Sequence, residues 1–335
     1  MAQSRLPRRF LDDGVRILAV AGAYYIAAKI GLSFAVVGGQ VTPLWPATGT
    51  ALAGLLLFGR RCWPGIALAA FVVNAAIGPT LPVVIAISTG NTLAPVLAHL
   101  LLTRAGFQTE LRRLRDVLAL IFLGAFAGML VSASVGAGAL AVAGTQDFWV
   151  TWSVWWTGDA MGVLVVAPVL LVVATARVDR RIPLTRWFEA AVLFGGLTLV
   201  TIVVMQAPAR LLFLIFPMLI WAALRFRQAG AAPGNLIVSI AAVLAAAAKQ
   251  GPFAGMDLLP TMITLQAFNA AATLTALLLA AATSERDEAQ RALQRAVSQI
   301  SEAVAALEPY SLLRTGLLQR VLHERDAPAP DNKLT

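Results

Sequence analysis

Apolar stretches of about 20 residues recur along this 335-residue chain from Val15 almost to Thr283. That pattern leaves few folds open. A stretch of that length crosses the ~30 Å hydrocarbon core as a helix, and within lipid only helices or closed barrels satisfy their own backbone groups. With 59% hydrophobic and 13% charged residues and a mean hydropathy of +0.78, the composition excludes an ordinary soluble domain. The expected fold class is all-α, a polytopic transmembrane helical bundle. Ten spans are expected, near 15–37, 42–59, 62–78, 80–103, 116–142, 152–175, 187–206, 209–226, 234–250 and 258–283. The 42–59 and 62–78 pair lies close to the shortest length that spans, and a re-entrant hairpin there would lower the count to eight.

Arginine placement sets the orientation. The first apolar run follows Arg5, Arg8, Arg9 and Arg16. It is too long for a cleaved signal, and further spans follow it, so it reads as a retained signal-anchor. Every second loop is basic thereafter: Arg60 and Arg61; Arg104, Arg112, Arg113 and Arg115; Arg177, Arg180, Arg181 and Arg186; Arg225 and Arg227. The opposite loops hold only Arg210 and Lys249. Both termini are therefore expected in the cytoplasm. The net charge of +9 and the pI near 10.9 belong to this bias and not to a nucleic-acid surface. A single cysteine, Cys62, excludes an internal disulfide framework.

Four regions follow: a basic cytoplasmic segment (1–14), an integral-membrane domain (15–283), a cytoplasmic helix (284–308), and a short helix with a disordered tail (309–335). In the third region Leu293, Val297, Ile300, Val304 and Leu307 fall at alternating steps of four and three, the seam of a coiled coil. The seam is two heptads long and is expected to stop at Pro309. It suits a homodimer-forming signalling helix continuous with the last span; the alternative is an amphipathic helix lying on the membrane. A weak internal echo relates Leu44-Trp45-Pro46 to Ile215-Phe216-Pro217 and Asn91 to Asn269. It stands either for two like-oriented halves or for chance similarity between Ala/Leu-rich helices.

One acid lies inside an apolar run, in Trp155-Trp156-Thr157-Gly158-Asp159-Ala160-Met161-Gly162. A charge there costs at least ~2.5 kcal/mol, so Asp159 needs a partner or a wet cavity. Lys29 lies at a similar depth in the first span and either pairs with Asp159 or snorkels to the surface. Trp45, Trp149, Trp152, Trp155 and Trp156 gather at the outer helix ends, where interfacial belts are ordinary. Pro46 and Pro82 lie at the same level. Together these residues suggest a periplasm-facing cavity walled by tryptophan and floored by Asp159, with Asn91 as a further candidate contact. Asn74, Gln266 and Asn269 read as interhelical hydrogen bonds. Gly158 with Gly162, and Gly124 with Gly128, read as faces for close helix packing. His99 has no neighbouring ligand type, so no metal is expected. No nucleophile–base pair, paired carboxylates or phosphate loop is present, and no cofactor or catalysis is expected. His323 resembles a phosphoacceptor, but no ATP-binding region accompanies it.

Four ordered motifs carry a family resemblance. They are Leu44-Trp45-Pro46-Ala47-Thr48-Gly49; Leu57-Phe58-Gly59-Arg60-Arg61-Cys62-Trp63-Pro64-Gly65; Gly90-Asn91-Thr92-Leu93; and the Trp155–Gly162 stretch continuing to Pro168. With Leu265-Gln266-Ala267-Phe268 and Glu285-Arg286, the chain resembles the first type of bacterial membrane-associated sensor (MASE) domain over about residues 15–288. The resemblance implies a sensory module of the bacterial cytoplasmic (inner) membrane that feeds histidine kinase or cyclic-di-GMP enzymes. No such output domain is visible after residue 288, so either a partner in trans or a truncated product is expected. The competing expectations are a secondary transporter for a small solute and a membrane scaffold.

Overall fold

The structure, a computed structural model, describes the backbone of residues 5–33, 42–78, 80–176, 183–207 and 211–325, and within those ranges the side chains of residues 12–303 except 258. Among the described residues every regular element is helical: α1 (Arg5–Leu32), α2 (Pro46–Phe58), α3 (Trp63–Ala75), α4 (Leu81–Arg104), α5 (Leu114–Ala119), a π-helix (Leu120–Ala127), α6 (Gly128–Val142), α7 (Phe148–Thr175), α8 (Leu184–Gln206), α9 (Phe216–Phe226), α10 (Gln228–Ala247) and α11 (Leu258–Arg325).

Seven segments are long and apolar enough to cross a membrane. Three expected spans correspond to shorter helices: α2 and α3 have 13 residues each and α9 has 11. At 1.5 Å per residue none exceeds ~20 Å. All three carry a proline in their first turn, Pro46, Pro64 and Pro217. Proline suits that turn because its missing N–H would be unpaired there in any case. The two stretches of the internal echo thus both open short apolar helices, and both of these end at a phenylalanine, Phe58 and Phe226.

The first three helices lie side by side in a defined register. Gly31 on α1 faces Trp45 and Pro46, Gly54 on α2 faces Val20, and Gly65 on α3 meets the Ile17 carbonyl. Arg61, just after α2, reaches Asp13 near the start of α1 at 3.1 Å. So α2 descends along α1, and α3 climbs back. Tyr24, Ala28, Ala51, Ile66 and Ala70 fill the space between them. The tightest remaining packing joins α4 to α6, α2 to α7 and α6 to α7, with α10 against α7, α8 and α9.

Residues Met1–Glu285 form one compact unit and Arg286–Thr335 a second. In the second, Leu293, Val297 and Ile300 are 66%, 54% and 64% exposed. The side chains of Val304 and Leu307 lie outside the described residues. The helix does not stop at Pro309 but continues to Arg325, which corrects the expected break. A proline deletes one backbone donor, and the flanking Ala305, Ala306, Leu312 and Leu313 favour helix enough to carry the chain past it. Val37, Arg177, Arg180, Arg181, Arg210 and the tail at 327–331 lie outside the described residues.

Candidate functional site

Asp159 lies in the first half of α7, 1% exposed. The helix is launched by Asp147, whose carboxylate accepts the Val150 N–H at 3.0 Å and so satisfies one of the free donors of the first turn. One face of α7 lacks side chains at Gly158 and Gly162, and the segment entering α2 fills that gap. The Trp45 N–H donates to the Gly158 carbonyl at 3.0 Å. A Cβ on Gly158 would strike the Thr42 carbonyl, one on Gly162 the Trp45 carbonyl, and one on Gly49 the Gly162 carbonyl. This close approach brings Thr48, on the first turn of α2, onto the acid: its Oγ1 donates to Asp159 Oδ1 at 2.6 Å. Asp159 Oδ2 is buried without a hydrogen-bond partner.

A second chain of bonds runs beside it. Trp155, one turn before Asp159, donates its Nε1–H to Ser132 Oγ at 3.1 Å, and Ser132 donates to Asn91 Oδ1 at 2.8 Å. Gly136 makes room for the Trp155 ring, because a Cβ there would strike the indole. Buried Tyr24 faces Asp159, Trp45 and Asn91 from α1. These groups border a narrow cleft of about 20 Å³, room for about one water, lined by Thr42, Trp45, Asn74, Asn91, Trp155 and Asp159, with Ile77 and Ile87 as its apolar wall. It lies toward the end of the bundle opposite Arg61. One carboxyl oxygen without a partner, an amide, hydroxyls and two indole rings make a recognition surface. Among the described residues no three His, Cys, Asp or Glu side chains gather as a metal site.

Of the ligand-contact candidates Asp159, Lys29, Trp45, Trp155, Trp156 and Asn91, four come together: Asp159, Trp45, Trp155 and Asn91. Two do not. Lys29 is exposed, so of its two expected alternatives, pairing with Asp159 or snorkelling, the structure does not show the ion pair. Depth along a helix does not set azimuth: the inward face of α1 is taken by Val20, Tyr24, Ala27 and Ala28, and Lys29 falls on the other side. Trp156 turns away, donating to the Phe126 carbonyl at 3.0 Å and stacking on Trp152 with centroids 5.7 Å apart. Phe126 belongs to the π-helix, whose i→i+5 pattern displaces carbonyls from regular helical pairing.

Among the motif residues, Pro46 opens α2, Gly49, Gly158 and Gly162 form the close crossing, and Pro168 is buried inside α7. In the sequence Thr48 stands out only as part of a motif, and Ser132 and Tyr24 do not stand out at all. Hydroxyls are common in apolar helices, and only the crossing of α2, α6 and α7 singles these out. Gln266 on α11 donates to the Pro43 carbonyl at 2.8 Å, and Asn235 donates to Thr273 at 2.9 Å. Asn269 is fully buried, with neither amide atom bonded.

Comparison with curated proteins and with solved structures returned no match. A family model described as MASE1, membrane-associated sensor 1, matches residues 16–287, which takes in every residue of the cleft. This multi-pass membrane chain belongs to the MASE1 family, the membrane-associated sensory domains of signalling proteins.

Proposed function

We propose that the chain is the sensory input of a bacterial signalling system. A water-sized hydrogen-bond donor, such as the hydroxyl or ammonium end of a small polar solute, enters the cleft from the periplasm and engages Asp159. The carrying observation is Asp159 Oδ2, buried, without a partner, and on the wall of a cleft. An acceptor left unsatisfied out of water costs ~1–3 kcal/mol, and a donor arriving there recovers that cost. Binding then alters the 42–45 segment, which α11 holds through Gln266. Further along, α11 also holds the start of α5, where Glu285 accepts the Leu114 N–H at 2.9 Å. Beyond that point the exposed Leu293, Val297 and Ile300 supply a seam for a homodimer. The output is a partner in trans, a histidine kinase or a cyclic-di-GMP enzyme.

The test uses a Cys62→Ser background in native membranes with single cysteines at 293, 297 and 300. Crosslinks between chains are expected, and Asp159→Asn is expected to shift their pattern. If no pair of chains ever crosslinks, the dimer relay is wrong. A secondary transporter is the competing reading, favoured by the proline-started short helices α2 and α9, which resemble the broken helices of permeases. Saturable, Asp159-dependent uptake into proteoliposomes would replace the sensor reading with that one.

A further inference from the structure

At the end of the bundle remote from Asp159 lies a second, separate feature. Arg16, Arg60 and Arg61 border an open cleft of about 660 Å³ whose wall continues onto Trp63 and Val96. Gly59, at φ 88°, turns the chain out of α2 and sets the two arginines in a single 3₁₀ turn. Asp13 stands between Arg61, at 3.1 Å, and Arg16, at 4.0 Å. It holds the two guanidinium groups together but offsets only one of the three positive charges, so the cleft stays basic. Cys62 lies beneath, and burial raises its thiol above the ordinary value, so it adds no negative charge.

From the same two wall residues an apolar groove of about 570 Å³ runs between α3 and α4. Its sides follow helical spacing. Trp63, Ala67 and Phe71 recur every four residues on α3, and Ile85, Thr89 and Val96 present one stripe of α4. Trp63, Phe71 and Ile85 are 52%, 39% and 51% exposed. From Val96 to Ile85 the groove measures ~17 Å at 1.5 Å per residue, about half of the ~30 Å hydrocarbon core. That is the reach of one acyl chain in one leaflet. Trp63 sits at the junction, where an amphipathic ring suits the headgroup level.

We propose that this composite site binds an anionic phospholipid, its phosphate against Arg16, Arg60 and Arg61 and one acyl chain in the α3–α4 groove. Neither half would choose this ligand alone. A bare groove accepts any lipid, and a bare basic cleft accepts any phosphate; their continuity at Trp63 and Val96 selects a molecule with an anionic head and an apolar tail. Basic pockets between membrane helices on the arginine-rich side suit such head groups.

The experiment is native mass spectrometry of the purified full chain, titrated with phosphatidylglycerol or phosphatidylcholine of identical acyl chains. The wild type is expected to prefer phosphatidylglycerol. Each arginine contributes about 5-fold, so Arg60→Gln with Arg61→Gln is expected to lower phosphatidylglycerol binding about 25-fold and to weaken zwitterionic phosphatidylcholine much less. Ala67→Trp, which plugs the groove, is expected to weaken both lipids. Arg225→Gln, a basic position on another helix, is expected to change neither. Both substituted arginines are exposed, so the double variant keeps the fold. Equal affinity of the wild type for the two lipids, or unchanged preference in the double variant, would overturn the proposal. Displacement of phosphatidylglycerol by millimolar glycerol phosphate would also overturn it, because the site would then recognise a head group alone.

Discussion

The side-chain amide of Gln266 on α11 donates a 2.8 Å hydrogen bond to the carbonyl of Pro43, 223 residues earlier in the chain. Proline has no N–H of its own, so this carbonyl is the only backbone polar group through which residue 43 can be held. Two residues on, the Trp45 N–H is bound by the Gly158 carbonyl, and Thr48 then reaches Asp159. The bond therefore ties the helix that leaves the membrane domain to the segment that closes the cleft.

Replacing Gln266 by Leu leaves the Pro43 carbonyl without its donor in a partly buried place. The expected loss is ~1–3 kcal/mol, read as a lower thermal midpoint in detergent. The same variant is expected to uncouple Asp159→Asn from the crosslinking pattern at 293, 297 and 300. An unchanged coupling would remove Gln266 from the relay.

Gly162→Ala is expected to be far more damaging than its one carbon suggests. The new Cβ meets the Trp45 carbonyl, a backbone atom that no rotamer change moves. Overpacking of this kind costs ~1–3 kcal/mol or more. Gly138→Ala is the control, since nothing lies within 4 Å of a Cβ there. Equal thermal midpoints for the two variants would contradict the close α2–α7 crossing.

Thr48 and Asp159 are expected to behave as one unit. Thr48→Val removes the donor to Asp159 Oδ1, and Asp159→Leu removes the acceptor. In a double-mutant cycle measured by denaturation the two changes should couple by ~0.5–3 kcal/mol, as contacting residues do. Additive effects would mean that the 2.6 Å bond contributes nothing to the folded state.

Lys29→Met tests the opposite case. Because Lys29 is exposed on α1 and the bond to Asp159 Oδ1 comes from Thr48, the substitution is expected to leave the thermal midpoint and the Asp159 phenotype unchanged. A loss as large as that of Thr48→Val would restore the ion pair.

Cys62 provides a pH test. Burial disfavours the thiolate and raises the pKa of Cys62, so labelling by maleimide at neutral pH should be slow and should accelerate only as the pH rises past the usual thiol range. A cysteine at exposed position 293 should react at the ordinary rate under the same conditions. Equal rates at pH 7 would show that the turn between α2 and α3 opens readily.

Much of the architecture could be read from residue order because lipid imposes a one-dimensional rule. A helix must be apolar over its membrane length, so hydropathy located each helical segment, and Asp159 stood out as the one acid placed well inside such a run. Length was harder to read. Proline, glycine and the aromatic residues at 42–46 look alike in a full span and in a short helix entered by an extended segment, and the difference lies in how α2 lies against α7. Of the proposed contacts, Trp45, Asn91, Trp155 and Asp159 share the cleft, whereas Lys29 and Trp156 do not.

Apolar run lengths, arginine spacing and four short motifs thus carry the fold class and the family, because these depend on composition along the chain and on partition into lipid. Which side chains meet around Asp159 depends on azimuth and on the distance between helix axes. Those are settled by Gly49, Gly158 and Gly162, whose missing Cβ atoms let α2 and its entering segment approach α7 until Thr48 reaches the acid. Glycine leaves no mark on a hydropathy profile, so that contact appears only once the helices are packed.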